Sequence, residues 1–290
     1  MSLEVLPAEP NLKWKRGVNR ISFMLMLLYA LLCAGSCAFQ RRLIYFPTRL
    51  DPGSAEKAAD QDGFLAWRNR SGQIIGWNLP ATESPSASVL VVHGNAGCAL
   101  DRAYIARPIH DAVPFDVYVL EYPGYGARSG LPSLSNLVAA GNEAFDALPP
   151  NLPKYIVSES LGAGVAAHIA KRHPSEAAGM LMFAPYNNLA SVAQNRIPLL
   201  PAYLILVDRY NPAEWLKDYS GPIKIVLVEL DEVIPMKFGR RLFDSYTGPK
   251  TFQIVPNAHH NDIAVQSPVW WRETFLFLRQ NRKMSPNQQR

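Results

Sequence analysis

The stretch Lys154–Gly164, KYIVSESLGAG, changes character halfway along. Tyr155, Ile156 and Val157 suit a strand, and the alanine-rich residues that follow Gly162 suit a helix. Between them stand Ser158, Glu159 and Ser160. A strand-to-helix turn can hold a serine hydroxyl exposed at the strand tip, with the N-terminus of the next helix behind it. It can equally be an ordinary capped helix, in which Ser158 or Ser160 accepts a hydrogen bond from the first free amides. The turn alone does not choose between these readings, so the rest of the chain has to.

A chain of 290 residues, 48% hydrophobic and 18% charged, allows one large domain or two small ones with a sizeable core, and excludes disorder of the whole. The net charge is +5, yet the basic residues form no stripe interleaved with aromatics, and nucleic acid is not an expected partner. Many of them instead flank one apolar run. Lys13, Lys15, Arg16 and Arg20 precede Ile21–Phe39, and Arg41 and Arg42 follow it. That run has 19 residues without a charge, close to the ~20 a helix needs to cross a bilayer. A buried core helix would show a polar face, and here only Ser22, Tyr29 and Ser36 interrupt. The excess of positive charge before the run places the N-terminus in the cytoplasm and the remainder outside.

The end of the run, Ala34-Gly35-Ser36-Cys37, has small residues before a cysteine, as a bacterial lipoprotein processing site does, although such sites carry Leu or Val where Ala34 stands. Cys37 is therefore a lipidation candidate, and either a retained helix or a lipid leaves a tethered protein. Only Cys98 lies beyond this region, so the rest of the chain has no internal disulfide.

From Phe64 the pattern becomes regular. Strands are predicted at Phe64–Trp67, Gln73–Asn78, Ser88–Val92, Asp116–Leu120, Tyr155–Val157, Gly179–Phe183, Ile223–Val228 and Thr251–Val255. Helices are predicted at Leu100–Ile109, Ser135–Leu148, Leu161–Arg172, Met236–Tyr246 and Pro268–Gln280. Strands alternating with helices imply a mostly parallel sheet covered on both faces, with ligands at the carboxyl ends of the strands. Residues 40–63 read as a connector with a breaker-rich middle, Asp51-Pro52-Gly53-Ser54. Pro185–Pro222, proline-punctuated and apolar in its middle, breaks the rhythm and suits a small cap. The tail KMSPNQQR reads as disordered.

Unusual residues fall where predicted strands end. His93–Gly97, HGNAG, has glycines that let backbone amides converge, which a developing oxyanion requires; a plain glycine-rich turn looks the same. EYPGYGARSG follows Leu120. ELDEVIP follows Val228 and holds Asp231 and Glu232, which by themselves make a solvated acidic turn. PNAHHNDI follows Val255 and puts His259 beside His260. These histidines with Asp262 do not form a converging metal set, and no metal or cofactor is expected. His93, His168 and His173 read as structural, and Trp270 and Trp271 as anchors of the last helix, one facing inward. What carries weight is the order of Ser, Asp and His on loops after successive late strands.

HGNAG, YPGYGARSG, SESLG, DEVIP and HND, in this order, resemble the serine hydrolases of the α/β-hydrolase superfamily, specifically the BEM46-like branch with the related ABHD proteins. The resemblance covers about Leu43 to Gln280, and RRLIYFPTR is similar to that branch's lead-in. It implies an α/β-hydrolase fold: a mostly parallel eight-stranded sheet with helices on both faces and a small cap (185–222) after the sixth strand, within a hydrolase domain spanning 40–282. It also implies Ser160 as nucleophile, Asp231 as acid and His260 as base, with the amides of Leu161 and Asn95 as oxyanion hole. Asp262 and Glu232 are runners-up for the acid, and His259 for the base. Three positions depart from the family pattern: Ser158 stands for the first elbow glycine, Val228-Glu229 for His-Gly before the acid, and His259 for the glycine before the base.

The function expected is that of a membrane-tethered serine hydrolase, cleaving a carboxylic ester or thioester of a small or lipid-like acyl group. The alternatives are a hydrolase-like binding module of weak or no activity, and a serine peptidase on the same fold. Nothing in the sequence announces an oligomeric state.

Overall fold

Strands apolar on both sides must be covered on both sides. Ala87–Val92, Lys154–Glu159 and Ala177–Phe183 are buried at every residue, and Ile223–Val228 at all but Lys224. They form the middle of the sheet in the computed structural model, which describes residues 12–262, 264 and 266–282.

The chain begins with α1 (Leu12–Ile44), then β1 (Phe46–Pro47), α2 (Pro52–Gln61), β2 (Leu65–Arg68), β3 (Ile74–Leu79), β4 (Ala87–Val92) and β5 (Ala96–Gly97). A 3-10 turn at Ala99–Arg102 leads into α3 (Ala103–Ala112), β6 (Phe115–Leu120), α4 (Leu134–Asp146), β7 (Lys154–Glu159), α5 (Gly162–Arg172) and β8 (Ala177–Phe183). Three short helices follow, α6 (Leu189–Arg196), α7 (Ala202–Ile205) and α8 (Pro212–Trp215), and then β9 (Ile223–Val228), α9 (Met236–Ser245), β10 (Lys250–Val255) and α10 (Pro268–Gln280).

The main sheet has eight strands in the order β10-β9-β8-β7-β4-β6-β3-β2, and β3 alone runs against the others. Alternation along a strand sends its side chains to two cores. Leu90 and Val92 of β4 join α4, α5 and α9 on one face; Val89 and Val91 join α2, α3 and α10 on the other. From β4 the chain moves outward to β6 and then back across to β7, so the strand ends open a crevice beside β4 and β7. The cap, α6 to α8, enters after the sixth strand of this sheet as expected.

Two expectations are corrected. Asp51-Pro52-Gly53-Ser54 is the start of α2, where a plain connector was read. The Asp51 carboxylate accepts from the Ser54 amide at 3.0 Å and Pro52 occupies the first turn, where a missing N–H costs nothing. The same residue types that break a helix inside it begin one at its edge, and Ala55 and Ala59 bury the inner face of α2. Secondly, residues 40–44, read as the start of the connector, continue α1 to Ile44. Its segment Asn19–Ile44 is long and apolar enough to cross a membrane. The tail at 283–290 and the first eleven residues lie outside the described residues.

Trp271 is the inward tryptophan of the pair, fully buried against Phe183 and Phe275, while Trp270 is half-buried. Trp271→Ala should lower the unfolding free energy by about 3–5 kcal/mol through the cavity it leaves. Chemical denaturation of the variant in detergent checks this, with Trp270→Ala as the milder control.

Candidate active site

Two residues, Ser160 and Leu161, turn the chain from β7 into α5. Ser160 takes φ 52°, a region that side-chain-bearing residues rarely occupy and that costs on the order of 1–3 kcal/mol. The turn is held because the Ser160 amide continues the ladder to the Phe183 carbonyl at 2.9 Å. Gly162 is obligatory: a Cβ there would overlap the carbonyl oxygen of Val92 at the end of β4. Neither Ser158 nor Ser160 caps α5 through its side chain, so the capping reading fails. Ser158 fits with its Cβ inside the ladder between Val92 and Met182. Its buried hydroxyl has no partner among the described residues.

The Ser160 hydroxyl lies 3.1 Å from His260 Nε2, and His260 Nδ1 lies 2.8 and 2.9 Å from the two Asp231 oxygens. All three residues are buried. Asp231 sits in the β9–α9 loop, where Oδ1 also accepts from the amides of Val233 at 2.9 Å and Ile234 at 2.7 Å. A carboxylate at Nδ1 selects the tautomer protonated there, which turns the Nε2 lone pair toward the serine hydroxyl. The alternatives point elsewhere. His259 is exposed and its ring pairs with Glu232 at 3.3 Å. Asp262 Oδ2 accepts from the His259 amide at 3.0 Å, which shapes the turn that carries His260. Among the described residues no group of three potential ligands gathers to hold a metal.

The HGNAG loop passes over this turn. Asn95 is held three ways: Nδ2 donates to the Ile44 carbonyl at 2.8 Å, and its carbonyl accepts from the Phe46 amide and the Tyr125 hydroxyl, each at 2.8 Å. Among the described residues the backbone amides of Asn95 and Leu161 donate to no protein acceptor. Both residues line the same cavity as Ser160. Glu159, buried beneath the turn, accepts from Arg102 Nε at 2.9 Å while Arg102 Nη2 donates to the Ala96 carbonyl at 3.0 Å. One guanidinium thus ties the serine turn to the loop above it.

Below the loop His93 is wedged between Tyr122 and Tyr125, and its Nδ1–H donates to the Gly94 carbonyl at 2.9 Å. Burial, with Arg102 nearby, holds it well below its usual range, so it is neutral. Glu121 is fully buried, and desolvation pushes its carboxyl up to about 7 against the hydrogen bonds from Ala99 N and Trp77 Nε1. Arg102 carries no mark in the sequence. Glu121 lies directly after a strand, but neither motif nor spacing links it to the loop.

Above Ser160 opens a largely apolar cavity of about 270 Å³. Cap residues such as Leu189, Val192 and Leu206 form one side, and Ser36, Gln40, Leu43 and Ile44 of α1 form the other. Cys37 is exposed on the same helix, which is continuous through it.

The family described as serine aminopeptidase, S33, matches residues 83–212. An uncharacterised protein of Mycobacterium tuberculosis is 31% identical over 248 residues, covering 81% of this chain and 86% of that protein. The lysophosphatidylserine lipase ABHD12 of Mus musculus is 26% identical over 230 residues, 68% of this chain; the chain spans 55% of that lipase. Among solved structures, the Butyrivibrio proteoclasticus esterase Est1E superposes with a TM-score of 0.60 at 13% identity, over 73% of this chain and 98% of the esterase. The monoacylglycerol lipase of Paleococcus ferrophilus does so with a TM-score of 0.54 at 16% identity, over 70% and 97%.

The folded state holds the Glu121 proton more tightly than the unfolded chain does. Its contribution to stability is therefore complete below about pH 4.5 and lost as pH rises through about 7. Glu121→Gln should gain stability relative to the parent between pH 5 and pH 8, by on the order of 3 kcal/mol. Denaturation midpoints of the two proteins at both pH values measure it; an unchanged difference would show that the carboxyl is ionised throughout.

Proposed function

The chain belongs to the α/β-hydrolase superfamily, in its lipase- and esterase-like ABHD branch, and from that premise we propose that it is a membrane-tethered serine hydrolase of carboxylic esters or thioesters. The observation that carries this reading is the hydrogen-bonded sequence Ser160–His260–Asp231, at 3.1 and 2.8 Å, on a strained turn beneath an apolar cavity.

A serine hydroxyl is a weak nucleophile at neutral pH. As Ser160 Oγ attacks the acyl carbonyl, its proton passes to His260 Nε2, and Asp231 stabilises the imidazolium. The carbonyl oxygen becomes an oxyanion that the amides of Leu161 and Asn95 receive. Collapse breaks the bond to the leaving alcohol or thiol, which takes the proton from His260. Water then enters, gives a proton to His260 and attacks the acyl-enzyme; the acid departs and Ser160 regains its proton. No cofactor or metal is required.

The family description favours a second reading, an aminopeptidase. Holding a free α-amino group calls for an anion, and the described lining of the cavity contains no Asp or Glu. The apolar walls and the lipase names among the relatives favour an acyl chain, lipid-like in character, as the occupant. The apolar helix α1 supports the tether, and the charge asymmetry around it favours the extracytoplasmic side for the hydrolase domain. Cys37 remains the residue for a lipid anchor if the helix is processed.

The full chain in detergent should form one adduct with a fluorophosphonate probe, read by intact mass. Ser160→Ala and His260→Ala should abolish the adduct and lower ester turnover by about a thousandfold or more, and Asp231→Asn by a similar factor. His259→Ala, Glu232→Gln and Asp262→Asn should leave turnover within about tenfold, as residues outside the hydrogen-bonded sequence do. A folded parent protein without an adduct would favour the binding-module reading.

A further inference from the structure

Three residues of α1 set how far the cap lies along it. Gln40, buried, donates to the Ile205 carbonyl at 3.2 Å and accepts from the Val207 amide at 2.6 Å. Beside it Arg41 pairs with Asp208 at 3.1 Å. Farther back along the helix the Tyr29 hydroxyl donates to the Leu199 carbonyl at 3.0 Å. With a rise of 1.5 Å per residue, Tyr29 stands about 16 Å from Gln40 and about 18 Å from Arg41. The hydrocarbon core of a bilayer is about 30 Å thick, so a helix that spans it with Arg41 at one face carries Tyr29 near the middle. The Leu199 carbonyl, bound to the Tyr29 hydroxyl, lies within a tyrosine side chain's reach of that depth. The span and the position of the cap are therefore not independent.

The cap surface agrees. Leu199 is 83% exposed, Leu204 76%, Val207 58% and Tyr203 51%, while the acid of the same segment, Asp208, is turned inward onto Arg41 and Tyr45. The exposed Arg209 spends its guanidinium on the carbonyls of Leu204 and Leu206, at 3.0 and 2.7 Å, as a cation beside an apolar phase does. The cavity itself lies between α1 and the cap, walled by Gln40 and Leu43 on one side and Leu200 and Ile205 on the other.

We propose that the cap is immersed in the leaflet that surrounds the C-terminal half of α1, so that the cavity above Ser160 takes acyl chains laterally from bilayer lipid. This rests on the esterase and membrane-span readings above and deepens them. It makes α1 a wall of the substrate site as well as an anchor, and bilayer-resident esters the preferred substrates.

The test uses the full chain in phosphatidylcholine vesicles, with Cys33→Ala and Cys37→Ala to leave only the buried Cys98. Leu199→Cys or Leu204→Cys is labelled with a nitrobenzoxadiazole dye and challenged with doxyl groups on the lipid chains and with aqueous iodide. Immersion predicts quenching by the lipid and shielding from iodide. In a second arm Leu199→Glu with Leu204→Glu should reduce hydrolysis of a long-chain ester embedded in the vesicles by about tenfold or more, with p-nitrophenyl butyrate turnover unchanged. Iodide quenching without lipid quenching, or an unchanged ratio of the two activities, overturns the immersion. A parent protein inactive on the soluble ester overturns the hydrolase reading instead, and the depth measurement stands apart from it.

Discussion

The close approach of α5 to the end of β4 is the constraint from which the site follows. Gly162 lies against the Val92 carbonyl with no room for a Cβ, so the chain must leave β7 and enter α5 within two residues. A turn that short is possible only with Ser160 at positive φ. The strain is over-determined from both sides: the Ser160 amide is held by β8, and α5 is packed in the core through seven buried residues beyond Gly162. The serine hydroxyl is thereby lifted clear of the sheet edge, where His260 can reach it. Loosening the helix would relax the turn and move the hydroxyl at once.

Around that turn, polar groups are buried in a way that positions rather than stabilises. Arg102 and Glu159 satisfy one another and the Ala96 carbonyl, which couples the loop carrying the Asn95 amide to the turn carrying the Leu161 amide. A buried ion pair of this kind contributes little net stability, because desolvation offsets most of the attraction. What it contributes is relative placement of two loops, and hydrogen-bond donors for a developing charge act only when placed in advance. Glu121 and the neutral His93 form the layer below, and there the cost of burial appears as a carboxyl that keeps its proton to about pH 7.

The long helix and the cap form a second unit built on the first. Tyr45, just beyond the end of α1, joins Asp208 and Tyr210 of the cap segment in a buried hydrogen-bonded cluster, and Asn95 fastens the His93–Gly97 loop to the last carbonyl of α1. The C-terminal end of α1 is therefore part of the pocket wall, through Gln40, Leu43 and Ile44.

The strand and helix sequence, the mostly parallel sheet, the cap and the order of Ser160, Asp231 and His260 could all be read from the chain, because each is a local pattern or a short motif at a strand end. Local chemistry left Ser158 and Ser160, and His259 and His260, undecided; only the family resemblance pointed to Ser160 and His260, and the structure brings that pair together with Asp231. The start of α2 was misread because Asp, Pro and Gly signal a helix edge and a loop alike. The tertiary structure alone decided the rest. Arg102 meets Glu159 across 57 residues, Gln40 meets Ile205 across 165, and Tyr29 meets Leu199 across 170. Contacts at such separations leave no periodicity or spacing in a single sequence, since they exist only after the sheet has brought its strand ends, and the cap its helix, to one place.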